Sequence, residues 1–131
     1  MENPEPISSE LEQIARSVVD CAFVVHKELG PGLLESVYQA CFSEELRGRG
    51  ISFQEQVSLP IRYRTLRLES GLRLDLLIEN SVVVELESVQ RMEPIFKAQL
   101  LSYLRLSGLR LGFLINFNVA LIKEGIFRIA S

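Results

Sequence analysis

Three acidic residues, Asp75, Glu85 and Glu87, have the types and spacing that could bind a metal ion. Asp75 and Glu85 each lie in the middle of an apolar segment, where an ionised carboxylate is costly unless another group compensates its charge. Converging carboxylates repel one another, and a hard divalent ion such as Mg²⁺ or Mn²⁺ relieves that repulsion. The pattern therefore indicates a candidate metal site. An antiparallel hairpin with a solvated outer face is the alternative.

Side chains alternate between the two faces of a strand, and this alternation decides whether the carboxylates of the two segments can meet. The turn signal between them is Asn80-Ser81. A strict two-residue turn there would place Asp75 opposite Leu86, with the Asp75 carboxylate pointing away from Glu85. An odd-length loop or a bulge would return both carboxylates to one face of the sheet. We predict one of these two irregularities, because either brings Asp75 and Glu85 together, with Glu87 on the same face.

Helical periodicity appears on both sides of these strands. Ser9 and Glu12 form a capping box that begins a first helix, which ends at residues 30–32, Gly-Pro-Gly. A second helix is predicted over about residues 34–47. Pro94 suits the first turn of a third helix that runs to about residue 106.

Residues 51–88 change to a period of two, which is typical of strands. Turns are predicted near Thr65 and near Ser70-Gly71, and Pro60 indicates an edge strand. Residues 111–117 are almost wholly apolar, as expected for a strand buried on both faces, and residues 126–129 form a last short pairing. This order predicts an α/β or α+β fold in which helices flank a mixed central sheet.

Size and charge limit the functional classes. The 131 residues fit a single domain, with residues 1–7 as a loose tail. The net charge of −3 means that a polyanion would have to meet a local patch. The first residues do not resemble a signal peptide, and no apolar run approaches a membrane span. A cytoplasmic protein without membrane contacts is the default expectation, and a homodimer is left open. Cys21 and Cys41 are predicted to be buried thiols.

Two further motifs lie on the predicted helices. The first is Gly32-x-x-Glu35-x-x-Tyr38, in which Glu35 flanks the apolar stripe of the second helix. The second is Gln99-x-x-x-Tyr103, whose two side chains share one helical face. Taken alone, Glu35 is typical of a surface glutamate, and the second motif is typical of a polar edge on a buried stripe.

In this order the segments resemble the GxxExxY proteins, a branch of the PD-(D/E)xK nuclease superfamily. The resemblance runs from about residue 26 to residue 129, and the matching stretches are residues 26–38, 73–77, 84–86, 98–104 and 114–117. It implies a three-layer nuclease core with a mixed central sheet flanked by helices.

The resemblance also implies roles for individual residues. Asp75 and Glu85 would be metal ligands, helped by the Leu86 carbonyl and by Glu35. Gln99 and Tyr103 would form the motif that follows the catalytic strand, which supports the site or contacts nucleic acid. The matching stretches also contain His26 and Arg73, as candidates for a supporting or nucleic-acid-binding role. The implied cofactor is Mg²⁺ or Mn²⁺, and the implied partner is nucleic acid, DNA before RNA.

Two positions depart from the pattern. Glu87 stands where the superfamily carries a lysine that positions the attacking water and offsets charge in the transition state. Phe96 stands where many relatives have histidine. Lys97 is rejected as a replacement lysine, because it points about 200° away from Gln99 around the helix. Arg91, in the loop after the strand, could reach the site, but nothing in the sequence fixes it there.

Arginines cluster in the strand region. Arg62 and Arg64 share a face and could touch phosphate, and Arg67 and Arg73 follow in the next strand. A solvated strand face is the alternative.

Two hypotheses follow. In the first, the protein is a metal-dependent nuclease in which Asp75 and Glu85 hold the ion, and Glu87 is an acidic stand-in that helps to orient water or a second metal. In the second, it is a catalytically inactive nuclease fold that serves as a binding or assembly module. In that case Glu87 and Phe96 mark a lost activity.

Overall fold

The computed structural model describes residues 5–131, which form three α-helices, one short 3₁₀ turn and five strands. In chain order the elements are α1 (Ser9–Leu29), α2 (Glu35–Gly48), β1 (Phe53–Tyr63), β2 (Leu66–Ile78), β3 (Val82–Glu87), α3 (Pro94–Ser107), β4 (Leu111–Asn116), the 3₁₀ turn (Ile122–Glu124) and β5 (Ile126–Ala130).

The five strands form one mixed sheet in the order β1-β2-β3-β4-β5. All neighbouring strands are antiparallel except β3 and β4, which are parallel and are joined by a crossover through α3. Residues of α1 and α2 pack on one side of the sheet, and residues of α3 pack on the other. This three-layer arrangement confirms the predicted fold class.

Two strand predictions are confirmed. Every residue of β4 is buried, as expected for a strand covered on both faces. β1 lies at the edge of the sheet. An edge position lets Pro60 remain in β1 without breaking a ladder between two neighbours.

Three local predictions are corrected. The N-cap of α1 is Ser8, whose hydroxyl accepts a hydrogen bond from the Leu11 backbone N–H at 3.2 Å, so the expected capping box at Ser9 is wrong by one residue. Ser70-Gly71 is not a turn but lies in a bulge within the continuous strand β2.

The third correction concerns the expected loose tail. Ile7 packs against the core, and Arg110 donates a hydrogen bond to the Glu5 carbonyl, so these residues are held to the domain. Residues 1–4 of the predicted tail lie outside the described residues.

The cysteines lie in the helical layer made by α1 and α2. Cys21 is buried, as predicted, whereas Cys41 is only partly buried. Burial raises the pKa of the Cys21 thiol to about 11, which keeps it protonated and unreactive at neutral pH. Among residues 5–131, no helix is both long and apolar enough to cross a membrane.

Gly125 has no space for a side chain, and this generates a test of the packing between β4 and β5. A Cβ atom there would lie 2.1 Å from the Asn116 carbonyl oxygen. We expect Gly125→Ala to lower the free energy of unfolding by about 1–3 kcal/mol, because backbone must move to relieve the overlap. Urea denaturation measures this change.

Gly48→Ala is the matched control. No atom lies within 4 Å of a Cβ built at Gly48, the last residue of α2. We expect it to leave stability unchanged or to raise it by up to about 1 kcal/mol. Equal stability of the two variants would contradict the packing described for Gly125.

Candidate active site

The loop between β2 and β3 sets the register of the candidate site. Ile78 pairs with Val82, so three residues lie between them. Two of these, Glu79 and Asn80, have left-handed backbone angles, with φ of 52° and 54°. The odd-length loop confirms the predicted register, and it places Asp75 directly across from Glu85.

Regular pairing between β2 and β3 ends at Leu76 and Val84, one step before the two carboxylates. Beyond this point side chains bridge the strands. The Asp75 backbone N–H donates to Glu85 Oε2 at 3.4 Å, and the Leu86 N–H donates to Asp75 Oδ2 at 2.9 Å. The two carboxylates therefore lie in the gap where the strands separate.

The Leu86 backbone faces the same gap. In a strand, the N–H and carbonyl of one residue point to the same side, and those of the next residue point to the other side. The Glu87 carbonyl accepts a bond from the Phe117 N–H, on the β4 side. The Leu86 carbonyl therefore points toward β2, next to the Asp75 carboxylate.

Glu85 has an environment that disfavours its charge. Burial, side-chain hydrogen bonding with the Asp75 carboxyl group and repulsion by the Asp75 charge raise the pKa of Glu85 to about 10, although the bond from the Asp75 backbone N–H acts in the opposite direction. Its second oxygen, Oε1, is buried and has no hydrogen-bond partner among the described residues. Without a cation, Glu85 is therefore protonated at neutral pH, with one oxygen atom left without a ligand.

Glu35 and Glu87 form a second acidic pair beside the first. Burial and the charges of Glu35 and Asp75 raise the pKa of Glu87 to about 7. Burial and the Asp75 charge also raise the pKa of Glu35, and the two carboxyl groups are close enough to share a hydrogen bond. At neutral pH the pair therefore holds one proton between two carboxylates for part of the time.

The loop before α2 positions Glu35. The Tyr38 hydroxyl donates to the Gly30 carbonyl at 2.5 Å and accepts from the Leu33 N–H at 3.2 Å. The Tyr38 ring stacks on Phe117 with 4.5 Å between centroids. Ser88, just after β3, donates to the Leu33 carbonyl at 2.6 Å. These contacts fix the N-terminus of α2 beside the end of β3.

The structure brings Tyr103 near the carboxylates but gives other predicted residues different surroundings. Burial and the charges of Glu85 and Asp75 raise the pKa of Tyr103. Gln99, one turn earlier on α3, has an exposed side chain. Arg73 is exposed and donates to Gln56 Oε1 at 2.9 Å. The functional roles of Gln99 and Arg73 stay predictions.

His26 is buried in the α1 layer rather than beside the carboxylates. Its Nε2 atom lies 2.8 Å from the Val119 carbonyl oxygen, and its ring lies beside Phe117 at 6.5 Å. Phe117 also stacks on Tyr38, so this aromatic packing connects His26 with the loop before α2, and the predicted role of His26 at the site stays a prediction.

Neither Lys97 nor Arg91 takes the place of the lysine expected at position 87. The Lys97 ammonium lies 4.0 Å from the centroid of the Phe127 ring, which confirms that it points elsewhere. Arg91 is exposed and pairs with Glu93 at 3.6 Å. Phe96 packs with the apolar core on the α3 side.

Sequence reasoning gave no role to Asn116, which fixes the loop that follows β3. Its side-chain oxygen accepts from the Val89 and Asn118 N–H groups at 3.1 Å, and its Nδ2 donates to the Val89 carbonyl at 3.0 Å. Asn116 pairs in register with Glu87. The available signal was a polar residue in an otherwise apolar run.

The donor set suits a hard cation held by few protein ligands. Among residues 5–131, no three His, Cys, Asp or Glu side chains are already grouped at metal-ligand spacing. The protein ligands implied by the resemblance stay a prediction: the Asp75 and Glu85 carboxylates, the Leu86 carbonyl and Glu35. This fits Mg²⁺, which commonly takes one or two carboxylates and keeps several waters. The unpartnered Glu85 Oε1 is the observation that favours such an ion.

A match to the PD-(D/E)XK nuclease superfamily covers residues 12–129. The chain belongs to this superfamily, so it is a nuclease-fold protein. No curated protein and no solved structure gives a significant match to it.

The raised pKa values predict how stability depends on pH. The folded state holds protons on Glu85 and Glu87 more tightly than the unfolded chain, where the pKa is near 4.5. Their stabilising contribution is therefore complete below pH 4.5 and is lost as pH rises through 7 toward 10. Between pH 5 and pH 8, we expect the titration of Glu87 to lower the free energy of unfolding by about 1–2 kcal/mol, after allowance for solvent screening.

Urea denaturation in EDTA at pH 5 and pH 8 checks this expectation. Glu87→Gln should remove the Glu87 share of the pH dependence, whereas Glu10→Gln, at an exposed position, should not. Glu12 does not interfere, because its bond to Arg128 lowers its pKa and so acts below this window. An unchanged pH dependence in Glu87→Gln would contradict the described environment of Glu87.

Proposed function

We propose that this protein is a divalent-metal-dependent nuclease that hydrolyses phosphodiester bonds of DNA. The observation that carries the proposal is the Asp75–Glu85 pair in the gap between β2 and β3, with Glu85 Oε1 buried and unpartnered. Superfamily membership supports the reaction class. The Gly32-x-x-Glu35-x-x-Tyr38 motif supports a place in the GxxExxY branch.

Asp75 and Glu85 would hold the ion with the Leu86 carbonyl, and Glu35 would assist. When bound, the ion supplies Lewis-acid polarisation of the phosphate and a lowered pKa for its coordinated water. Asp75 is held in place by the Leu86 N–H bond, so its carboxylate needs little reorganisation. Binding would require Glu85 to release its proton, because the raised pKa keeps it neutral without a cation.

Glu87 would orient the attacking water and accept its proton in place of the superfamily lysine. Its pKa, near 7, suits a general base at neutral pH. Glu35 would support this role by sharing a hydrogen bond with Glu87. The polar phenol of Tyr103, near Glu85 and Asp75, would contact the phosphate or a bound water.

A second candidate function is an inactive nuclease fold that binds a partner or supports an assembly. It is favoured by Glu87, since an acid at the lysine position adds repulsion toward phosphate rather than offsetting its charge. It is also favoured by the positions of Lys97 and Arg91, which contact Phe127 and Glu93 rather than the carboxylates of the site. Location in the cytoplasm remains a prediction from sequence.

Replacing Glu87 by lysine separates the two candidates. If Glu87 orients water and accepts its proton, Glu87→Lys should reduce Mg²⁺-dependent cleavage of plasmid or single-stranded DNA by at least about a hundredfold, the lower end of the range for general acid–base catalysis. Glu10→Lys makes the same charge change at an exposed position on α1, and it should leave cleavage unchanged. Nicking assays on gels measure both.

Two other results would contradict the proposed role. Faster cleavage by Glu87→Lys would mean that Glu87 weakens a scaffold built for lysine. No cleavage by the wild type or by Glu87→Lys, with either Mg²⁺ or Mn²⁺, would favour the binding module.

A further inference from the structure

The hairpin of β1 and β2 extends beyond the part of the sheet that the helices cover. Leu59 pairs with Leu72, but the next pair is Ile61 with Leu68, so Pro60 opposes three residues, 69–71. A Cβ atom at Gly71 would lie 2.5 Å from Ile61 Cγ1, which requires glycine or a shift of Ile61. This bulge separates the distal hairpin, residues 61–68, from the rest of the sheet. We call residues 61–68 the arm.

The arm has one apolar face and one basic face. The pairs Ile61–Leu68 and Tyr63–Leu66 alternate with the pair Arg62–Arg67, and alternating pairs point to opposite faces of a ribbon. The apolar face is solvent-exposed: Tyr63 is 63% exposed, Leu66 54% and Leu68 48%. None of residues 61–68 packs with either apolar core of the described part of the chain.

The arginines of the arm are poorly neutralised. Arg62 and Arg67 lie directly opposite one another, which costs stability because like charges repel. Arg67 is offset by Glu69 at 2.8 Å. Neither Arg62 nor Arg64 forms a salt bridge with any of residues 5–131. The Arg64 guanidinium lies 5.3 Å from the Tyr63 ring centroid.

The charge of the arm contrasts with that of the whole chain. Residues 61–68 contain three arginines and no acidic residue, in a chain of net charge −3. A narrow, projecting ribbon of positive charge on an acidic protein attracts an anionic partner to that ribbon alone. Arginine also matches phosphate geometry better than lysine does.

The arm continues the strand that carries Asp75. Arg73 lies two residues before Asp75 in β2, and Arg67 lies eight residues before it. At about 3.3 Å per residue, the distance along the strand is at most about 26 Å. That is within one turn of B-form DNA, about 34 Å. Residues of β2 could therefore contact phosphates of the same nucleic acid whose scissile bond lies at Asp75.

We propose that the arm binds the phosphate backbone of DNA through Arg62, Arg64 and Arg67, and that β2 leads the bound strand past Arg73 to the carboxylates. This inference rests on the proposed function for the identity of the polyanion. It assigns substrate positioning to a part of the chain that lies outside the carboxylate site.

Charge and size argue against other occupants. The apolar face offers three exposed side chains, whereas a stable interface takes about 20–30 residues on each side. A second copy of the arm would also bring like charges together. An anionic membrane remains a different outcome of the test below, because an amphipathic ribbon with basic residues can also meet lipid headgroups.

The test compares two double variants that each remove two exposed arginines without described salt-bridge partners. One is Arg62→Gln/Arg64→Gln in the arm, and the control is Arg16→Gln/Arg105→Gln on α1 and α3. Fluorescence anisotropy measures Kd for a short single strand and a short duplex of DNA over a series of salt concentrations. EDTA is present throughout, so that binding is read without metal and without cleavage.

We expect the arm variant to bind at least about tenfold more weakly at low salt. We also expect it to reduce the slope of log affinity against log salt concentration by about 1–2, the value for two lost phosphate contacts. The control should change both quantities far less. Equal melting temperatures for the two variants would show that the fold is retained, as exposure of these side chains predicts.

Several results would overturn the proposal. One is wild-type protein that does not bind DNA in EDTA, and another is an equal effect of the two double variants on DNA affinity. A third is unchanged DNA affinity in the arm variant together with loss of a dimer in sedimentation or loss of binding to phosphatidylserine vesicles. The outcome is separable from the proposed function. Cleavage that survives with unchanged affinity removes the arm proposal alone, whereas arm-dependent binding without metal binding or cleavage removes the catalytic proposal alone.

Discussion

The separation of β2 from β3 is the feature on which the rest of the site depends. One step beyond the last regular pair, carboxylates take the positions that backbone groups occupy elsewhere in the sheet. This arrangement satisfies the Asp75 and Leu86 N–H groups, but it confines two acidic groups in a buried gap. Burial and mutual repulsion then hold a proton on Glu85 and leave one of its oxygens without a partner. A bound cation would remove both costs at once.

The surrounding contacts maintain this gap rather than close it. Asn116 and Ser88 fix the chain that leaves β3, and Tyr38 fixes the loop that enters α2. Phe117, the residue that follows the buried strand β4, stacks on Tyr38 and so supports the loop. Glu35 is consequently held beside Glu87 from a different layer of the fold. The acidic residues of the site thus come from the sheet and from the helical layer that contains α2, not from one hairpin alone.

Much of this arrangement could be predicted from the sequence. Sequence patterns identified all three helices and the buried strand β4. The requirement that Asp75 face Glu85 predicted an odd-length loop or a bulge near Asn80-Ser81, and the structure has a three-residue loop there. The helical angle of Lys97 excluded it as a substitute lysine. These inferences worked because each depends on local geometry with a fixed period.

Other features depend on contacts between distant segments, which periodicity does not encode. The turn predicted at Ser70-Gly71 is a bulge, because Pro60 on the neighbouring strand skips a pairing position. Asn116 acquires its role from Val89, twenty-seven residues earlier in the chain. His26 was assigned to the site by resemblance, but its surroundings are Val119 and Phe117. The proximity of Glu35 to Glu87 likewise depends on the packing of α2 against the end of β3.

The metal site formed by Asp75 and Glu85 is tested most directly by calorimetric titration with Mn²⁺ at about pH 8. At this pH, protons compete with Mn²⁺ for the Glu85 carboxylate less than they do at neutral pH. Asp75→Asn is the informative variant, because it keeps the shape of the side chain and removes its charge. We expect one Mn²⁺ to bind per wild-type chain, with proton release, and Asp75→Asn to lose this binding. Absence of Mn²⁺ binding by the wild type, or equal binding by the variant, would contradict the claim that Asp75 and Glu85 form a metal site.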